Sequence, residues 1–384
     1  MKKINYLDLF SGCGGLSYYF LNDKRFNLIS SVDNDFACHN TYLELCKSLG
    51  IKQCEEKVLK LDLNKKNDLL NNFSEINSDL VLGGPPCQAY SIAGRIRDKN
   101  KMKTDYRNYL FESFLKVIQQ TKAKYFIMEN VPGILSAKPG GILITDRIQK
   151  AIQSIDFYIK PEIADCLIEL SNYQIPQRRR RVIIFGVSKK INNYKNKVDK
   201  FYSLLNSLKI KKLSNVYEAI GDLKKFYPSS QIIKKDGKKY SHFPISSSFI
   251  DHFPRYHSKR DIGIFKKLAH DIESNKNKFT DINQLKKLYS SVVKKKSNVH
   301  KYYVLRKNEL SNLIPAHLYK DGLRHIHYDS KQARTLTIRE SARLQTFPDN
   351  FKFIGSNTDK YKMIGNAVPP LFSKYLLKAF LQVI

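Results

Sequence analysis

Short apolar runs that stop abruptly at glycine, proline or an acid recur through the first half of the chain. Ile4 to Phe10 is the first, broken by Ser11-Gly12-Cys13-Gly14-Gly15, after which Leu16, Tyr19 and Phe20 return at helical spacing. Leu28-Ile29-Ser30-Ser31-Val32 is the second; it ends in Asp33, and a helix is expected to start near Phe36. Val58 to Leu63 carries a further acid, Asp62, to the same expected edge. Leu80-Val81-Leu82 is stopped by Gly83-Gly84-Pro85-Pro86 and delivers Cys87. Tyr125-Phe126-Ile127-Met128 runs into Glu129-Asn130, and Val182 to Gly186 follows the basic run Arg178-Arg179-Arg180-Arg181. Helical stripes such as Leu110, Phe111, Phe114, Leu115 and Ile118 lie between the runs. Strands alternating with helices predict an open α/β sheet with helices on both faces and reactive groups at the strand ends.

Each strand end offers a chemical reading beside a plain structural one. Cys87, at a rigid turn, is a candidate nucleophile, although most unpaired cysteines are small buried hydrophobes. The glycine turn after the first strand lets a ligand approach the backbone, and Asp33 stands where an acid meets ribose hydroxyls; an N-cap would use the same residue. A carboxylate such as Glu129 at the end of an apolar strand is costly to bury alone, so it has a partner or a task. Period-two alternation puts Arg179 and Arg181 on one face and Arg178 and Arg180 on the other. Gly94 to Thr104, with Arg95 and Arg97, reads as a lid over a phosphate backbone or as a solvated loop.

Charge adds a partner. The 384 residues carry a formal net charge of +32, which calls for a polyanion. Nucleic acid is favoured over a membrane surface, because no clear basic amphipathic helix or lipidation motif is present. No apolar run approaches the ~20 residues that span a bilayer, and the first residues lack a secretory signal, so a cytoplasmic protein is expected. The six cysteines show no CxxC pairing and no metal-ligand spacing, so neither zinc nor a disulfide is needed. Histidines cluster between His317 and His327, again without a zinc spacing. Residues 187–330 are rich in lysine and dotted with tyrosine, and predict a smaller, basic, DNA-facing domain. Regular structure then returns from Arg334 to Thr346 and from Met363 to Phe380.

Taken in order, Asp8-Leu9-Phe10-Ser11-Gly12-Cys13-Gly14-Gly15, Pro85-Pro86-Cys87-Gln88, Glu129-Asn130-Val131, Gln177 to Arg181, Arg334 to Pro348 and Gly365-Asn366 resemble one family: the DNA (cytosine-5)-methyltransferases of the bacterial restriction–modification type. The resemblance covers roughly residues 4–186 and 331–384. It implies a Rossmann-like, S-adenosylmethionine-dependent methyltransferase sheet formed by 1–186 and 331–384, with 187–330 as a target-recognition domain. S-adenosyl-L-methionine is then the methyl donor and no metal takes part. The donor would be held by Phe10, Gly12, Cys13, Gly14, Gly15, Asp33, Asn34, Asp62, Leu63, Pro86, Leu110, Asn366 and Val368. Cys87 becomes the nucleophile, Glu129 the group on the cytosine edge, and Arg179 and Arg181 the donors around it. Gln88, Ser91, Arg95, Arg97 and Thr337 are implied to touch double-stranded DNA. A monomer and a cognate restriction endonuclease as partner are also implied.

Other assignments stay in view. A dehydrogenase would use the same first turn but leaves the cysteine, glutamate and arginine strand ends unexplained. An amino-group methyltransferase is disfavoured, since that class places an acid or asparagine before Pro-Pro. A tRNA cytosine-5-methylating relative shares the whole catalytic set, and a catalytically dead DNA-binding homologue is opposed by intact Cys87 and Glu129.

Overall fold

The computed structural model describes residues 2–65, 71–86, 109–245, 247–294, 302–320 and 322–384. An eight-stranded sheet organises the chain. Its strands are β1 (Ile4–Leu9), β2 (Phe26–Asp33), β3 (Val58–Lys60), β4 (Leu80–Gly83), β5 (Tyr125–Asn130), β6 (Phe157–Tyr158), β7 (Leu167–Glu169) and β8 (Arg180–Ser188). They lie in the order β3-β2-β1-β4-β5-β8-β6, with β7 also paired to β8. Strands β3, β2, β1, β4 and β5 are parallel, and β8 runs antiparallel beside β5. After β1 the chain steps outward to β2 and β3, then returns to the other side of β1 for β4. Open sheets bind ligands at such a switch point.

Both faces of the sheet are buried, which is why its strands read as apolar runs. On one face Tyr6, Leu80, Leu82, Ile127 and Phe185 join a core with the helices Phe36–Ser48, Tyr194–Ser207 and Pro370–Leu381. The alternate residues Leu7, Val81, Phe126 and Ile184 pack on the other face with the helices Leu110–Gln120 and Ile144–Ser154. The last helix starts on Pro370, whose fixed φ and missing N–H suit that position.

The core does not stop at residue 186. Val198, Phe201 and Leu205, then Val216, Ile220 and Leu223, pack into the first-face core, as do Leu305, Ile314 and Leu318. A separate small core gathers Ile264, Phe265, Leu268, Leu285, Tyr302 and Ile326 from the helices Lys259–Glu273 and Ile282–Val293 and the segments after them. A two-stranded hairpin, β9 (Tyr227–Lys235) and β10 (Lys238–Phe243), belongs to the same region.

Candidate active site

Because β1, β2, β4 and β5 are parallel, their C-terminal ends share one edge of the sheet; β8, running the other way, begins there. A cleft of about 1610 Å³ opens along that edge. One end is built on the glycine turn. Phe10 takes a left-handed φ of 53°, which a side chain pays for, and Gly14 follows at 85°. Gly15 has no room for a side chain, since a Cβ would stand 2.2 Å from the Val368 carbonyl oxygen. The turn and the 366–368 segment therefore meet backbone to backbone.

Asp33 fixes the turn from the tip of β2. The Gly12 N–H donates to Asp33 Oδ2 and the Asp35 N–H to Oδ1, both at 2.9 Å. Burial nonetheless pushes its carboxyl above the ordinary value. The capping role falls on Asp35, which accepts from Ala37 N and Cys38 N and pairs with Lys362 at 2.8 Å. Asp33 is thus left to face the cleft.

Deeper in, Asp8 was missed from the sequence. Its side chain is fully buried and lines the cleft, the Tyr42 hydroxyl donates to Oδ2 at 3.0 Å, and burial raises its pKa to about 7. An acid embedded in Tyr6-Leu7-Asp8-Leu9 was the available signal.

The other end of the cleft holds Glu129 and Arg181. Arg181 Nε lies 2.6 Å from Glu129 Oε1, and the two side chains are only 6% and 12% exposed. A Cβ on Gly84 would stand 3.0 Å from Glu129 Oε2, and Asn130 Nδ2 donates to the Pro85 carbonyl at 3.4 Å. The Gly84-Pro85-Pro86 turn therefore passes directly over the carboxylate. Alternation along β8 is as expected: Arg179 and Arg181 are buried, Arg178 and Arg180 exposed.

Arg179 departs from its expected place around the substrate. Enclosed behind the cleft wall, it donates to the carbonyls of Ile314 (3.3 Å), Gly365 (3.0 Å) and Ala367 (2.8 Å). It positions the backbone on both sides of Asn366. Gln345, a residue sequence reasoning did not single out, braces the same turn by donating to Ile364 and Ala367 at 2.7 and 2.9 Å. The glutamine of the Gln177-to-Arg181 run donates in turn to Gln345 Oε1 and to the Leu344 carbonyl.

All residues expected to hold the donor line this one cleft except Gly14. Gly14 instead faces the helix Phe36–Ser48, where a Cβ would stand 2.7 Å from Leu45. Burial pushes the Cys13 thiol up to about 12, so it is chemically quiet. Thr337, expected at DNA, needs correction: it is fully buried, caps the helix Ile338–Leu344 in a reciprocal box with Glu340, and meets His252 Nδ1 at 3.0 Å. Cys87, Gln88, Ser91, Arg95 and Arg97 lie outside the described residues. Among the described residues no group of three His, Cys, Asp or Glu is placed to hold a metal ion, and no helix is long and apolar enough to cross a membrane.

The model of the family described as C-5 cytosine-specific DNA methylase matches residues 4–382. The Type II methyltransferase M.Bpa9945I of Bacillus paralicheniformis is 30% identical over 452 residues, covering 98% of each chain. The Type II methyltransferase M.DdeI of Desulfomicrobium norvegicum is 27% identical over 97% of this chain and 87% of its own. In fold, the chain is similar to one described as a DNA modification methyltransferase encoded within an E. coli prophage (TM-score 0.61, 23% identity, 99% of both chains). The S. pombe Dnmt2 methyltransferase is also similar in fold (TM-score 0.58, 15% identity, 99% of both chains).

Proposed function

The chain belongs to the C-5 cytosine-specific DNA methylase family, and from that premise we propose that it methylates carbon 5 of a cytosine extruded from duplex DNA, with Cys87 as the nucleophile. The observation that carries the reading is a single cleft with a glycine-built cradle at one end and the Glu129–Arg181 pair under the Pro85-Pro86 turn at the other.

The cradle suits S-adenosyl-L-methionine. Phe10, Leu63, Pro86 and Leu110, which line the cleft, would offer apolar surface for an adenine ring, Asp33 would hold the ribose hydroxyls and Asp62 the adenine amino group, and Asn366 with Val368 would border the methionine end. When bound, the cofactor supplies a methyl group on a positively charged sulfur. Cytosine carbon 5 is too weak a nucleophile to take it unaided. Thiolate attack by Cys87 on ring carbon 6 makes carbon 5 an enamine carbon that does. A thiol of ordinary pKa ~8.5 is only slightly ionised near neutrality, so cations at the cleft assist. As attack proceeds, negative charge grows toward ring nitrogen 3, where Glu129, held in place by Arg181, handles the proton. After methyl transfer, a base such as water takes the carbon-5 proton, the freed electron pair re-forms the double bond to carbon 6, and Cys87 leaves as thiolate to release 5-methylcytosine.

Stacked DNA excludes all of this, so the base is flipped out at a cost of a few kcal/mol. The lysine-rich small unit and the basic segment containing Gln88, Ser91, Arg95 and Arg97 offset that cost through phosphate contacts. The enzyme acts as a cytoplasmic monomer, and its product protects DNA from a cognate restriction endonuclease.

Bisulfite sequencing of genomic DNA from cells expressing the chain tests this. Conversion-resistant cytosines within one short sequence are expected, and none with Cys87→Ser. Unmodified DNA alongside modified tRNA cytosines would overturn the DNA assignment.

A further inference from the structure

Half of the basic run at the start of β8 has no part in the chemistry described so far. Arg178 and Arg180 alternate away from Arg179 and Arg181, are exposed, and line the cleft. The segment 311–320 forms the wall beside them and brings Lys320, also exposed, to the same cleft. The wall is held firmly. The Arg178 N–H donates to the Ser311 carbonyl at 2.9 Å, and a Cβ on Gly365 would stand 2.3 Å from the backbone of Pro315 and Ala316.

The charges at this rim are poorly balanced. Among the described residues neither Arg180 nor Lys320 makes an ion pair, whereas Arg178 reaches Glu309 at 3.3 Å, with both side chains about half exposed. The rim's own carboxylate, Glu169, is already engaged: its Oε1 accepts from Ser171 N and Oγ and from Arg179 N. Two cations without an ion pair among the described residues thus stand at a cleft that Glu129 and Arg181 also line.

We propose that Arg180 and Lys320, with Arg178 beside them, hold the DNA phosphates flanking the extruded nucleotide. This rests on the cytosine-flipping reading above. A flipped base stays tethered by two phosphodiesters, and these remain at the cleft mouth when the base reaches the floor. Guanidinium groups suit that task because they grip phosphate oxygens in pairs, and an exposed rim has little desolvation to overcome. A merely solvated charged face would carry the same residues without binding anything.

The test compares wild type with Arg180→Ala/Lys320→Ala and Arg180→Lys, using sheared unmethylated plasmid DNA. Affinity is measured across a salt series, and methyl transfer to the same DNA is followed with KM and kcat resolved. The double variant is expected to bind with a log–log salt slope shallower by about two, since each phosphate contact contributes roughly 0.9. Its KM for DNA rises at least tenfold (about that order for two lost contacts), while KM for S-adenosylmethionine is unchanged. Arg180→Lys keeps the wild-type slope. A double variant that is folded yet keeps the wild-type slope and KM overturns the proposal. A wild type that binds but transfers no methyl group would instead sink the methyltransferase reading, and the slope comparison would still decide the rim.

Discussion

Arg181 Nε sits 2.6 Å from Glu129 Oε1, joining the start of one strand to the end of its antiparallel neighbour. The pair is nearly buried, so each member depends on the other. Breaking such a pair from one side leaves a buried charge uncompensated, at about 3–5 kcal/mol. Arg181→Ala is therefore expected to lower both thermal stability and turnover. Glu129→Gln keeps the shape and a hydrogen-bonding edge but leaves the Arg181 charge uncompensated, so it too should lose stability, by less than Arg181→Ala, while kcat falls by about 10²-fold or more. Calorimetry and steady-state kinetics on both variants check this; a near-normal rate for Glu129→Gln removes its assigned role.

Arg179 acts through backbone rather than substrate. Replacing it with Ala frees the Gly365 carbonyl, leaves that of Ala367 to Gln345 alone and loosens Asn366 between them. The affinity of the free enzyme for S-adenosylmethionine should drop roughly tenfold, about 1.4 kcal/mol, with KM for the donor rising more than kcat falls. Titration calorimetry reads the first effect. An unchanged donor affinity with a lost kcat would place Arg179 at the reacting base after all.

Thr337 separates a structural cap from a DNA contact. Its hydroxyl accepts from Glu340 N at 3.1 Å inside a fully buried box. Thr337→Val should cost about 1 kcal/mol of stability through the lost cap and leave the salt dependence of DNA binding untouched. A shallower salt slope in this variant would restore the expected DNA contact.

Acid should weaken the seam between the small unit and the main core. Burial holds His242 and His325 down to about 4 and His257 and His327 to about 3. Their neutral forms belong to the folded state. As pH falls below about 6.5 the unfolded chain takes up protons these histidines refuse, and stability declines until pH reaches their folded values. Glu340 extends the decline to still lower pH: burial pushes it up, but Arg334, bonded at 2.6 Å, outweighs that and leaves it below the usual range. Its contribution is present above the ordinary carboxylate value and lost as pH drops below it. Asp8, raised to about 7, works the other way, favouring the fold in acid and withdrawing that support as pH rises toward 7. With several groups against one, Tm should fall by roughly 5 °C or more between pH 7 and pH 4.5. A calorimetric series showing Tm rising on acidification contradicts the balance.

Most of the sheet was legible because its strands are buried on both faces. The runs ending at Phe10, Asp33, Gly83 and Asn130 each became a strand whose end reaches the cleft. What the pattern could not carry was lateral order: nothing in Arg180 to Ser188 announces that it inserts antiparallel beside β5. Helix Tyr194–Ser207 was hidden by its lysines, although Val198, Phe201 and Leu205 recur at helical spacing and pack into the main core. Thr337 was misread although the sequence held the signal, since Thr337-Ile338-Arg339-Glu340 has capping-box spacing. Arg179 and Arg181 share a face, yet burial sends one to brace backbone and the other to a carboxylate, a difference that depends on which carbonyls fold back against them.

The central claim is a bond between residue 87 and a flipped cytosine. Plasmid DNA substituted with 5-fluorocytosine blocks the last step, because no base can remove fluorine from carbon 5, and so traps the adduct. After incubation with S-adenosylmethionine and digestion, mass spectrometry should find a methylated fluorocytosine nucleotide on the peptide containing Cys87, absent in Cys87→Ser. Wild-type protein that methylates ordinary DNA but yields no adduct, or an adduct on another peptide, would contradict the account.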